Sequence, residues 1–368
     1  MRPGLLRATT ACGLLSLLVL GSVPPNALHA QSQGGQANPQ EKPPVTVPAA
    51  PGETKPTDQF SVTVEVPLVS LDVVVADEKG DIFTGLNKAN FRVSEDGVAQ
   101  PITNFSTPEA PITSVLLVEF SSRGIYGYPV YSANAVAWAD AFVRLLKRED
   151  WVALVSFDMR TRVEVDFTQD KMAVHNYLAS MIIPGFHESN VFDALMETLD
   201  NMKDVKGRKS VVLLASGIDT FSKHTLDDAY KRVKNTDVTV FCIGTGRVVL
   251  NYIENNRATG GAIQRLNFYQ AENQMKEFAK LTGGQAFFPG FQGEIPAIMQ
   301  NIANMLRSQY SLAYVPSNQI RDGKYRKIKV EVVGSDGQPA QMKDAKGKLT
   351  KLVVYTRQGY TAPKGPVS

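Results

Sequence analysis

Four short, nearly unbroken apolar stretches constrain what this chain can fold into: residues 114–118, 151–157, 210–215 and 238–243. A strand with one wet face alternates apolar and polar residues, whereas a strand covered on both faces does not. Between these stretches lie helical patterns over residues 133–146, 172–182, 191–202, 225–233 and 275–281. A last helix carries Ile295, Ile298, Ile302 and Met305 on one face. Buried strands alternating with helices predict an α/β fold with a doubly wound, mostly parallel sheet. Thr225 and Asp228 have capping-box spacing, and Gly283-Gly284 suits a left-handed helix stop. Cys242 lies inside an apolar stretch and reads as a buried strand residue.

The periodicity differs on either side. Phe60, Val62, Val64 and Val66 alternate with polar residues, and Val69, Leu71, Val73 and Val75 resume the alternation after Pro67. Glu95-Asp96-Gly97 marks a tight hairpin. After residue 308 the β pattern returns over 310–315, 327–333 and 352–360. Two thin β modules would each leave raw edges, so pairing 60–111 with 309–368 into one antiparallel sandwich-like unit is expected. The basic cluster of Arg321, Lys324, Arg326, Lys327 and Lys329 reads as a solvated strand face.

At the amino end, Arg2 and Arg7 precede an apolar run over 11–23, followed by Ala27-Leu28-His29-Ala30. That layout predicts a cleaved secretory signal peptide over 1–30 and export to the periplasm or beyond. The run is shorter than the ~20 residues that span a bilayer, so no integral membrane anchor is expected after cleavage. Residues 31–59 lack aromatic side chains and carry six prolines, which predicts a disordered, extended linker. The expected organisation is thus a leader (1–30), a linker (31–59), a β module (60–111), an α/β domain (112–308) and a final β segment (309–368). A formal charge of +3 argues against a polyanionic partner, and no nucleic acid is expected.

Several short motifs occur in a fixed order: Gly85-Leu86, Asn90-Phe91, Glu95-Asp96-Gly97 and Gln100-Pro101-Ile102, then Leu281-Thr282-Gly283-Gly284, Leu306-Arg307-Ser308-Gln309-Tyr310 and Tyr314-Val315-Pro316. Together with Tyr325-Arg326-Lys327-Ile328-Lys329, they resemble the von Willebrand factor type A-related proteins abundant in acidobacterial genomes. The resemblance runs from about Val66 to Tyr360 and implies an exported protein with a type A-like domain carried on β segments.

Such domains commonly hold a divalent cation where the sheet strands end, using an Asp-x-Ser-x-Ser loop, a Thr and a second Asp. A hard cation wants about six oxygens, and hydroxyls and waters leave one position for a ligand carboxylate. Here the first loop reads Glu119-Phe120-Ser121-Ser122-Arg123, the middle loop offers Ser189, and the fourth strand ends at Ser216 with Asp219 beyond it. A guanidinium about 5 Å from a divalent ion opposes it by about 6–7 kcal/mol at an effective dielectric near 20. The expectation is a degenerate metal site with no cofactor, retaining magnesium or calcium weakly at most through Glu119, Ser121 and Ser189.

For Ser189, Asn190 and Asp193 an ordinary helix start is the competing reading, and for Ser216-Gly217 a plain strand-to-loop turn. The function expected is binding of a protein, glycan or envelope component through Glu119, Ser121, Ser122, Arg123, Ser189, Ser216 and Asp219. A structural or assembly role, with the α/β domain as spacer, is the alternative. A hydrolase built from Ser121, His187 and Asp219 comes third, and no catalytic residue is assigned. The chain lacks a Gly-x-Ser-x-Gly elbow, a phosphate loop and a His-Glu-x-x-His pattern.

Overall fold

A computed structural model describes residues 68–108, 110–121, 131–181, 188–255, 262–343, 347 and 349–365. The expected leader, linker and first alternating segment (60–66) lie outside the described residues, as do Ser122, Arg123 and His187.

Val69–Asp77 (β1), Phe91–Glu95 (β2), Val98–Gln100 (β3) and Ile102–Ser106 (β4) come first. The α/β portion follows as Thr113–Glu119 (β5), Tyr131–Leu145 (α1), Trp151–Phe157 (β6), Thr161–Thr168 (β7), Lys171–Ser180 (α2) and Val191–Asn201 (α3). It continues through Lys209–Ala215 (β8), Leu226–Lys234 (α4), Thr239–Gly244 (β9), Gly246–Asn255 (α5), Ala262–Thr282 (α6), Ala286–Phe287 (β10) and Ile295–Arg307 (α7). The chain ends in Tyr310–Tyr314 (β11), Tyr325–Val332 (β12), a two-residue pair Met342–Lys343 (β13) and Leu349–Thr350 (β14), Leu352–Tyr355 (β15) and Gly359–Thr361 (β16).

The six-stranded sheet has the order β10-β9-β8-β5-β6-β7. All its neighbours run parallel except β7, which is antiparallel to β6 at the edge. The expected doubly wound, mostly parallel sheet is therefore what forms. Period two along each strand divides the core. Leu116 and Val118 of β5, with Val212 and Leu214 of β8, pack beneath α1, α2, α5 and α7. Val115, Leu117, Val211 and Leu213 face the other way, onto α3, α4 and the second half of α6. Continuous apolar sequence is what two covered faces require. Thr225 caps α4 in a capping box with Asp228, and Gly283 closes α6 at φ +84°, where a Cβ would meet the Thr356 backbone.

The flanking strands build a second core. The sheet β15-β1-β11-β4 faces the sheet β16-β12-β2-β3. Val69, Leu71, Val73 and Val75 meet Phe91, Val93, Ile328, Val330 and Val332 between them. Within the first sheet β1 pairs with β11 and β15; within the second, β2 pairs with β12. Tyr310 donates no spare polarity to this core, because its Oη accepts the Leu86 N–H at 3.0 Å. Arg326 departs from the expected solvated strand face. It points inward, is 3% exposed, and its Nη1 reaches Glu95 Oε1 at 3.2 Å. Even-numbered positions of β12 face the core, so Arg326 shares the phase of Ile328 and Val330. Tyr314 and Tyr360 both donate to Glu95 Oε2, at 2.7 and 3.0 Å, which completes the shell of the buried carboxylate.

Because β1 has its ladder partners only in the final segment, a chain cut at residue 308 leaves β1 unpaired and β2 held by β3 alone. Such a chain is expected to lose hydrogen-exchange protection throughout 69–77 and 91–95. Unchanged protection there would show that the amino-terminal strands fold independently.

Candidate ligand-binding site at the carboxyl ends of the strands

The order of the sheet places β6 on one side of β5 and β8 on the other, so consecutive crossovers leave in opposite directions. A crevice opens at such a switch point, outside the carboxyl ends of the strands. Glu119, the last residue of β5, occupies it and is fully buried. Its Oε1 accepts the Ser121 hydroxyl at 2.6 Å and its Oε2 accepts the Ser216 backbone N–H at 2.6 Å. The carboxylate therefore ties the end of β5 to the end of β8.

Burial pushes the Glu119 carboxyl above the usual carboxylate range, against the opposing effect of the Ser121, Ser216 and Ser189 donors around it. Ser121, Ser189 and Ser216 are each 2% exposed. The Ser189 hydroxyl lies near enough to favour the charged carboxylate, yet its Oγ has no hydrogen-bond partner of ordinary geometry, and neither has Asn190 Oδ1. Four of the expected site residues thus converge: Glu119, Ser121, Ser189 and Ser216.

Asp219 is drawn elsewhere. Its Oδ2 accepts the Phe192 N–H at 3.1 Å and the Ser222 hydroxyl at 2.5 Å, at the amino end of α3. The ordinary helix start expected at this point takes an unexpected form. Asn190 makes no side-chain cap, and α3 is capped from the neighbouring loop by Asp219 and by Ser222 Oγ, which accepts the Asp193 N–H at 3.0 Å. Asp193 in turn accepts the N–H groups of Lys223 and His224 and the His224 ring nitrogen at 2.8 Å. These contacts hold Asp193 below its ordinary value despite partial burial. The Ser189 carbonyl accepts two further amides, from Thr220 and Phe221. The 188–193 and 216–224 loops are consequently one hydrogen-bonded unit, with Phe221 left 48% exposed on it.

Sequence reasoning missed Asp158, which follows β6 and is fully buried. It receives both Nη groups of Arg162, at 3.1 and 2.9 Å, while its carbonyl accepts the Asn190 N–H. The signal for it was Asp158-x-Arg160-x-Arg162, an acid just past a buried strand with arginines in reach.

Among the described residues the donor set does not fit a tightly held divalent cation. Both oxygens of the Glu119 carboxylate already accept protein donors, and burial favours its neutral form. The Ser216 hydroxyl accepts the Ile218 N–H at 3.2 Å. Among the described residues no group of three His, Cys, Asp or Glu side chains is arranged to hold a metal ion.

Residues 129–281 match the family model of the von Willebrand factor type A domain. The matched stretch starts after the 119–123 loop. Solved structures with a similar fold include proximal thread matrix protein 1 of the mussel byssus with a zinc-occupied MIDAS motif. It is 13% identical, with 57% of this chain and 50% of that chain covered and a TM-score of 0.43. This chain therefore spans about half the length of the mussel protein. Another is the von Willebrand factor domain of the type V pili tip protein Mfa5 from Porphyromonas gingivalis, 14% identical over 54% and 95% of the two chains, TM-score 0.40. A third is a von Willebrand factor type A protein from Catenulispora acidiphila, 12% identical over 81% and 75%, TM-score 0.41. No curated protein matches the chain.

Glu119→Gln keeps an acceptor for the Ser216 N–H, whereas Glu119→Ala strands that N–H and the Ser121 hydroxyl. The alanine variant is expected to lose roughly 2–4 kcal/mol of stability. A folded-state pKa raised above the unfolded value means the native state binds the proton more tightly. Wild-type stability should thus rise as pH falls through the folded pKa toward the unfolded one, and level off below it. Denaturant titrations from pH 8 to pH 4 check this, the glutamine variant lacking that part of the rise.

Proposed function

Starting from a von Willebrand factor type A domain, we propose that the chain is an exported binding protein that recognises a protein, glycan or envelope component through its upper loops. The domain type supports a binding or assembly role. The observation that carries the finer reading is the stitched pair of loops at 188–193 and 216–224. Seven backbone N–H groups there are satisfied by the opposite loop, so the surface stands preformed and loses little freedom on binding. Phe221 offers an exposed aromatic anchor on it. Ser122 and Arg123 belong to the same proposed surface.

Export rests on the basic residues, short apolar run and small-residue site at the amino end. No helix among the described residues is long and apolar enough to cross a membrane. Hydrolysis finds little support: Ser121 is buried and its hydroxyl donates to Glu119, while Asp219 caps a helix. The assembly-spacer reading stays distinct, since it places the partner on the β sandwich.

Two outcomes are expected. The full chain should retain an envelope partner in affinity capture, and Phe221→Ala should release it. Retention by Phe221→Ala together with loss on substituting exposed sandwich residues would favour the spacer role. In calorimetry with magnesium, calcium or manganese, the wild type should show no binding tighter than about 1 mM. Arg123→Ser combined with Ser216→Asp should restore it if a decayed metal geometry survives.

A further inference from the structure

At the opposite end of the parallel sheet a cleft of about 680 Å³ lies between the base of the α/β domain and the sheet β15-β1-β11-β4. Lys203, Asp204 and Lys206 of the lining are exposed to solvent, and its more buried charged groups are nearly all provided for. Lys209 Nζ donates to the carbonyls of Met202 and Lys203, each at 3.0 Å, and pairs with Asp237 at 3.1 Å. Arg208 donates to the carbonyls of Gln309 and Ala110, each at 2.9 Å. Asp72 accepts the Ser311 hydroxyl at 3.0 Å.

Arg357, just past β15, is the exception. Its Nε is buried without an acceptor, and among the described residues its guanidinium makes no hydrogen bond or ion pair. Its one close partner is the Tyr360 ring, 5.8 Å from the guanidinium carbon. The side chain lines the cleft and feels the charges of Asp237 and Asp72 there without touching either. A guanidinium carries five donors in a rigid fork, and a desolvated one left unpaired is costly.

We propose that this cleft binds a carboxylate, held bidentately by Arg357. The fork matches a planar carboxylate. The three aspartates in the lining, Asp72, Asp204 and Asp237, oppose a dianion such as phosphate more than a monoanion. Leu68, Val205, Leu312 and Ala313 in the lining leave room for an apolar body behind the charged group. The carboxylate is that of a small organic acid or the free end of a peptide. The site lies across the sheet from the loops of the proposed partner surface and stands independently of them.

The test is a titration of the full chain at constant ionic strength, followed by calorimetry and by the arginine Nε–H resonance of Arg357. Butyrate and benzoate form one arm, a short peptide with a free carboxyl end and its carboxyl-end amide the other, and inorganic phosphate the control. Saturable carboxylate binding that shifts the Arg357 resonance is expected. It should be about tenfold weaker in Arg357→Gln and, with charge kept but the fork lost, clearly weaker in Arg357→Lys. Asp237→Asn, at a half-exposed position, removes a competing anion and should tighten binding a few-fold. Peptide bound more tightly than its amide and the free acids identifies a chain end; equal affinity identifies a small acid. The proposal is overturned by absence of saturable carboxylate binding, by unchanged affinity in both Arg357 variants, or by phosphate binding tighter than any carboxylate.

Discussion

The ladder that β5 forms with β6 on one side and β8 on the other organises this molecule. Those pairings bury β5 on both edges and, through α1, α3 and α7, on both faces. A strand so enclosed can end only where its last residue finds partners, and Glu119 finds them in the Ser121 hydroxyl and the Ser216 amide. The switch-point crevice is therefore closed by a carboxylate turned inward, and everything above it is built on that closure. Were Glu119 to turn toward a metal, the Ser216 N–H would be left buried and unpaired, at a cost of about 1–3 kcal/mol.

That constraint explains why a hydroxyl residue suits the end of β8. A second carboxylate beside Glu119 would add like-charge repulsion in a desolvated site unless a cation neutralised it. Ser216 avoids this, contributing its backbone amide downward to Glu119 and its hydroxyl to the Ile218 amide. Asp219 and Asp193 are spent on backbone amides of the opposing loop, so their charges serve to hold the loops together.

The architecture was readable wherever one period dominated. The apolar strands became β5, β6, β8 and β9 because covering both faces leaves no polar position in the run. The caps at Thr225 and Gly283 were readable because each depends on local geometry alone. Strand β7 was not, for its residues are half-exposed throughout and alternate weakly. Its existence depends on the free edge of β6. The start of α6 escaped because its polar residues break the apolar stripe. Arg326 was misread because charge suggested solvent, while its register put it in the core beside Glu95. The convergence of Glu119, Ser121, Ser189 and Ser216 followed from their places at strand ends. The capture of Asp219 by α3 did not, since it needs the spacing of two loops distant in sequence.

The two ends of the parallel sheet have opposite electrostatic characters. At the carboxyl end, among the described residues, most inward-facing polar groups satisfy one another, and the buried oxygens of Ser189, Asn190 and Thr161 are left without a partner. None of these is charged, so the cost of each is that of a neutral buried group, about 1–3 kcal/mol. At the amino end the unmatched group is a guanidinium, and the strands there begin against a second domain-sized core instead of against solvent. Arg208 bridges the two cores through the carbonyls of Gln309 and Ala110, which rigidifies the cleft walls without neutralising its charge. A guanidinium held in a walled cleft with its Nε already desolvated has met part of the cost of binding an anion before any ligand arrives. The two proposed recognition surfaces therefore differ in kind, hydroxyls and an exposed aromatic at one end of the sheet and charge at the other.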